Sequence, residues 1–212
     1  MGEMVAPLQD ISLVVHSGDF IIVEGPSGIG KSTLLYVLGT LLQSDSGSYF
    51  FEERDISRLS DAKKSELRAE KIGFLFQDAT LIQALTLREN LMVTQKLTGK
   101  KVEKHLADPY LELFGLQDRA HFFPYQLSGG QRRRAMAARC LMHRPVLILA
   151  DEPTNDLDAQ WSEKMIHILK QEAERGAGVV MVTHDSRWTK QATHVLHLTD
   201  GILYEKEEET RG

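Results

Sequence analysis

Residues 25–32 read Gly25-Pro26-Ser27-Gly28-Ile29-Gly30-Lys31-Ser32, followed by Thr33, and fit the pattern G-x-x-x-x-G-K-[ST]. The chemistry that such a stretch supports is the holding of phosphate. Its glycines let backbone N–H groups close around phosphate oxygens, Lys31 reaches β- and γ-phosphates, and the Ser32 hydroxyl suits Mg²⁺. The flanks agree with this. Phe20-Ile21-Ile22-Val23 is a short apolar run of buried-strand type, and residues 31–38 carry apolar side chains at helical spacing. Strand, glycine loop and helix start together turn a helix N-terminus into an anion site.

A second constellation lies downstream. Val146-Leu147-Ile148-Leu149-Ala150 reads as a buried parallel strand and ends in Asp151-Glu152. Two carboxylates at the C-terminal end of such a strand sit at the ligand-binding edge of the sheet. Asp151 suits the Mg²⁺ position, and Glu152 suits orienting and deprotonating an attacking water. Without the upstream loop, the pair reads as an ordinary strand exit. Between the two lies Leu127-Ser128-Gly129-Gly130-Gln131. A serine followed by glycines at a helix start offers a hydroxyl and bare N–H groups to an anion, so the chain carries a spare anion cradle. The triplet Arg132-Arg133-Arg134 follows on the same helix and reads as solvated or phosphate-facing.

A phosphate loop by itself does not separate a kinase, a GTPase, a helicase and a transport ATPase. The order of the remaining motifs does. Gln77 follows the apolar run 72–76, Asn155-Asp156-Leu157-Asp158 follows the carboxylate pair, and His184 follows Val179-Val180-Met181-Val182. With these, nearly the whole chain resembles the ATP-binding-cassette (ABC) ATPases: phosphate loop, Q-loop at Gln77, signature at 127–131, D-loop at 155–158 and switch histidine at His184. The resemblance implies ATP and Mg²⁺ as ligands, with residues 25–33 around the phosphates and Ser32, Gln77 and Asp151 at the metal. It implies a catalytic set of Glu152, His184, Gln77 and Lys31, with His184 at the γ-phosphate. It also implies that Ser128, Gly129, Gly130, Gln131 and Asp158 serve nucleotide in a head-to-tail homodimer, each cradle capping the ATP of the other copy. A separate transmembrane permease would dock near the Q-loop, placing the chain on the cytoplasmic face of a membrane.

Within the family, Gln77-x-x-x-Leu81, Leu85-Thr86-x-x-Glu89-Asn90 and Pro124 ahead of the signature are similar to the lipoprotein-releasing, macrolide-exporting and heterocyst glycolipid-exporting ATPases. That branch implies export or extraction of a lipid-like, lipoprotein or drug substrate. Two departures stand out. The family stacks adenine on an aromatic ahead of the first core strands, and residues 1–19 contain none. The D-loop reads Asn155-Asp156 where the transporter branch usually has Gly-Asn, which resembles the soluble translation-factor branch. The alternatives are therefore a soluble ABC ATPase of that branch and a non-hydrolysing nucleotide-regulated module; intact Lys31, Asp151, Glu152 and His184 speak against the latter.

The elements that must position these residues follow from the pattern. Strand-like runs at 8–14, 20–24, 49–51, 72–76, 146–150 and 178–182 alternate with helical stretches, and 194–204 reads as a hairpin about Asp200-Gly201. The fold class is α/β, a P-loop NTPase with a mainly parallel core sheet flanked by helices plus antiparallel strands. One domain spans 1–212: residues 1–77 and 128–212 form the core and 78–127 an inserted helical subdomain. The length of 212 residues, 42% hydrophobic and 26% charged, suits one such domain. A net charge of −5 argues against a free nucleic-acid binder. The single cysteine, Cys140, excludes an internal disulfide and reads as a core residue, and no apolar run reaches the ~20 residues of a membrane span. His194 and His197 fall on opposite faces of one strand, and no histidine pair has metal-ligand spacing, so no zinc site is expected.

Overall fold

The computed structural model describes residues 8–76, 81–97 and 103–205. In chain order its strands are β1 (Phe20–Glu24), β2 (Phe50–Phe51), β3 (Arg54–Asp55), β4 (Ile72–Leu75), β5 (Leu147–Asp151), β6 (Gly178–Val182), β7 (His194–Thr199) and β8 (Ile202–Glu205). The α-helices are α1 (Lys31–Leu38), α2 (Asp61–Lys71), α3 (Leu87–Leu97), α4 (Asp108–Leu113), α5 (Gly129–Leu141) and α6 (Ala159–Glu174).

The apolar runs pair into one six-stranded sheet of order β4-β5-β6-β1-β7-β8, parallel except for the last pair. Its central strands are continuous hydrophobics because helices cover both faces. Side-chain alternation assigns the faces. Phe20, Ile22, Ile148, Ala150, Val179 and Met181 pack with buried residues of α3 to α6. Ile21, Val23, Leu147, Leu149, Val180 and Val182 pack with Leu34 and Leu35 of α1. The β7–β8 hairpin turns at Asp200 (φ 49°) and Gly201 (φ 79°), the left-handed pair of a type I′ turn, as Asp-Gly predicts.

Residues 8–14 differ from the expected strand. Leu8, Ile11, Leu13 and Val15 alternate toward the α1 face, so the side-chain pattern is met. The backbone has no partner strand among the described residues, and Gln9 N–H donates to the Gly201 carbonyl at 2.7 Å. Alternation records burial, while a strand also needs a ladder.

Between residues 81 and 126 the described chain is helical or in turns. The motif Thr86-x-x-Glu89-Asn90 has a mechanical explanation. Glu89 Oε2 accepts from Thr86 N–H at 2.8 Å and Thr86 Oγ1 from Glu89 N–H at 3.3 Å, a reciprocal cap at the start of α3. The fully buried Asn90 amide donates to the carbonyls of Ile82, Leu85 and Thr86 and accepts from Ile82 N–H, closing the preceding turn. Cys140 lies in the core as expected, and burial pushes its thiol up to about 12.

Candidate active site

The phosphate loop leaves β1 at its C-terminal end and enters α1. Gly25 could carry no side chain: an added Cβ would lie 2.5 Å from the Leu198 carbonyl oxygen of β7. The loop therefore rests directly on the neighbouring strand. α1 begins at Gly30 (φ 110°) with no side-chain cap, leaving its first N–H groups for a ligand. Lys31 Nζ donates to the Gly25 and Pro26 carbonyls at 2.6 and 2.7 Å, so the ammonium already lies across the loop. Pro26, Ser27 and Gly28 are exposed, and Ile29, Ser32 and Thr33 are half-buried.

Parallel pairing of β5 with β6 sets Asp151 opposite Val182 and so brings both carboxylates beside residues 183–184. Asp151 is 7% exposed. Burial raises its carboxyl above the ordinary range, with the neighbouring Ser32 hydroxyl opposing the shift. A carboxylate and a hydroxyl, both hard oxygen donors at one buried spot, fit Mg²⁺ with its remaining positions left to phosphate and water. Gln77, expected as a third ligand, lies outside the described residues.

Glu152 sits at φ 46°, just past the strand. Its carboxylate accepts from Thr183 Oγ1 and His184 N–H, each at 3.0 Å, and pairs with His184 Nδ1 at 2.7 Å. Two residues separated by 32 positions thus meet as the sequence motifs imply. Thr183, fully buried, was not foreseen; its hydroxyl also accepts from Asp185 N–H at 3.1 Å. The polar position at the end of an otherwise apolar strand was the available signal.

The second cradle is separate from the first. Ser128 caps α5: its Oγ accepts from Gln131 N–H at 3.2 Å, and Gln131 Oε1 accepts from Ser128 N–H at 2.9 Å. A Cβ on Gly130 would meet the Asp156 carbonyl oxygen at 2.9 Å, so the D-loop packs on the signature glycines of its own chain. Among described residues outside α5 and its immediate neighbours, Asp156 and Leu157 are what lies within 4 Å of that position and of its counterpart on Gly129. Asp158 caps α6, accepting from Trp161 N–H at 2.8 Å.

Arg132 is exposed, as the sequence implies, but Arg133 and Arg134 correct the reading of a solvated or phosphate-facing triplet, because their guanidinium groups are buried or half-buried on backbone carbonyls. Arg132 donates to Leu127. Arg134 donates to Phe114 at 2.8 Å and stacks 4.0 Å from the Trp161 ring centroid. Arg133 is 3% exposed and donates to the carbonyls of Phe76, Asp151, Glu152 and Pro153. It ties α5 to the residue before Gln77 and to the carboxylate turn.

Comparison with known proteins gives the family. The family model described as ABC transporter matches residues 8–155. The chain belongs to the ABC transporter ATP-binding family. The cassette is 40% identical over 206 residues to an uncharacterized ABC transporter ATP-binding protein of Thermotoga maritima, covering 96% of this chain and 88% of the relative. It is 41% identical to the macrolide export ATP-binding/permease protein MacB of Salmonella choleraesuis, with 95% of this chain covered but only 31% of MacB. Among solved structures, the dimeric ATP-binding cassette MJ0796 bound to ADP and phosphate superposes with a TM-score of 0.91 at 34% identity, covering 98% of this chain and 93% of that one. The cassette is an ATPase that takes ATP with Mg²⁺, and its fold is that of an ABC cassette.

Proposed function

We propose that two copies of the cassette close head to tail on two ATP molecules and drive a separate transmembrane permease in the export or extraction of a lipid-like, lipoprotein or drug substrate. The observation that carries this reading is the second cradle. The start of α5 is shaped for an anion, and among described residues outside that helix a Cβ added at either glycine would meet D-loop atoms alone. A second copy would supply the nucleotide, as the dimeric form of MJ0796 suggests.

In the closed form, residues 25–33 would grip the phosphates, with Lys31 turning from the Gly25 and Pro26 carbonyls to the β- and γ-phosphates. Ser32 and Asp151 would hold Mg²⁺, with Gln77 as the further ligand; bound there, the ion supplies charge neutralisation and orientation of the phosphates. Glu152 would take the proton of the attacking water while the Thr183 hydroxyl and His184 N–H hold its carboxylate in place. His184, 73% exposed at its side chain, would reach the γ-phosphate of ATP. Ser128, Gly129, Gly130 and Gln131 would close over the neighbour's nucleotide, with Asp158 holding the D-loop end.

The separate permease and the place at the membrane's inner face are supported indirectly. No helix among the described residues is long and apolar enough to cross a membrane. The Thermotoga maritima relative, named only as an ATP-binding protein, is matched over 88% of its length, whereas the ATP-binding/permease MacB is matched over 31%. The MacB likeness favours export.

The dimer reading is tested by ATP turnover per chain across a dilution series. A rate per chain that rises with concentration, together with an ATP-dependent dimer, is expected. A constant rate from a protein that stays monomeric would overturn the composite site. Co-purification with a membrane subunit, as against ribosomes, decides the partner.

A further inference from the structure

The lip of the second cradle carries a negative charge. The D-loop folds back onto the start of α5 so that an ideal Cβ on Gly129 would lie 3.8 Å from Asp156 Cβ and 4.0 Å from its Cγ. Asp156 is exposed, held at φ 64°, and its carboxylate accepts no hydrogen bond from a described residue. Beneath residues 151–153 lies the buried guanidinium of Arg133, which donates to backbone carbonyls and makes no ion pair with a described residue. Burial lowers the pKa of that guanidinium, and of the carboxylates that oppose the shift Asp156 comes first, ahead of Asp151 and Glu152.

We propose that Asp156 sets by its charge how tightly the Ser128–Gly130 cradle closes on the triphosphate of the neighbouring copy, and that the buried Arg133 offsets part of the repulsion. The inference rests on the head-to-tail dimer proposed above. The physical argument is a sum of signs. The N–H groups at the start of α5 attract phosphate. A carboxylate beside Gly129 repels it, and like charges juxtaposed across an interface weaken association. Arg133 is positive and shielded from solvent beneath residues 151–153, so its field is screened less than that of an exposed cation. The cradle is thereby tuned to a closed dimer that forms on ATP and separates readily.

The test uses the full chain with Glu152→Gln, so that hydrolysis does not drain the closed state, and measures the ATP-induced dimer by sedimentation equilibrium at low and high NaCl. Adding Asp156→Asn is expected to tighten the dimer about tenfold at low salt, with the gain shrinking as screening rises. Asp156→Glu, which keeps the charge, is expected to dimerise as the parent does. Arg133→Gln is expected to loosen the dimer, and the double variant with Asp156→Asn to recover it. Should Arg133→Gln fail to fold, the exposed Asp156 variants and the salt series still decide the matter. A dimer no tighter in Asp156→Asn, or a gain equal at every salt concentration, overturns this inference and leaves the composite site standing. No ATP-induced dimer in the parent overturns the composite site and this inference with it.

Discussion

Two helix starts in this chain are built to face an anion, and they are built differently. α1 begins at an uncapped glycine and brings its own cation, Lys31, already bonded across the loop carbonyls. Asp151 and Ser32 stand beside it, a buried carboxyl against a hydroxyl. α5 begins with its own side-chain cap, and the three arginines that follow donate to backbone carbonyls. The first start is a complete seat for a charged ligand. The second has helix N–H groups and the Ser128 hydroxyl with no cation of its own and a carboxylate at its lip, and on the proposed reading it would meet phosphate already gripped by another copy. A cassette that works as half of a pair needs this asymmetry.

The contrast can be broken at graded cost. The largest effect is expected for Glu152→Gln: steady-state phosphate release should fall by ~10²–10⁴-fold, the usual loss of a general base, while ATP titration shows binding retained. Near-normal turnover would remove Glu152 from the chemistry. Next comes Arg133→Met, which strips a buried cation from four carbonyls. Urea unfolding should show a loss of about 2–4 kcal/mol, far more than for Arg132→Ala, whose partner is a single carbonyl. Equal losses would mean that the triplet acts as a surface charge. Lys31→Met should weaken ATP binding by ~10–100-fold, the worth of a charged hydrogen bond at ~1.4 kcal/mol per tenfold, and should do so in the monomer. Ser128→Ala should cost the isolated chain ~1 kcal/mol through the lost cap, with ATP affinity of the monomer unchanged. A monomer binding defect in Ser128→Ala would merge the two seats into one. The smallest difference expected is between nucleotides: the purified chain should separate ATP from GTP by less than about tenfold, since base stacking is worth only ~1–3 kcal/mol and residues 1–19 hold no ring to supply it. Phe20 offers no substitute, being 1% exposed. Titration of both nucleotides checks this, and strong adenine preference would reveal another platform.

How far the sequence could be read depended on whether a residue's role is local. The phosphate loop, the Asp151-Glu152 strand end and the 194–204 hairpin are set by neighbours in the chain, and they stand as the pattern implies. Glu152 and His184 meet because two adjacent parallel strands place them so, which follows once both runs are recognised as buried strands. Arg133 was misread because its partners lie 18 to 57 positions away and are backbone atoms, which no side-chain pattern records. Thr183 was missed because one hydroxyl at a strand end looks like any other. Residues 8–14 carried the alternation of a strand without a ladder to join. Gln77 falls outside the described residues, so its place beside the metal remains an expectation from the motif.

The carbonyl clamp of Arg133 has a mechanical consequence. One planar group joins the residue before Gln77, the catalytic strand end and the signature helix at a single pivot. A planar group bonded on three sides resists being pulled from any one of them, so a tilt of the helix would be felt at the strand end. Force applied at the protein's flank would then register at the reacting phosphate as rotation rather than as a relay of small adjustments.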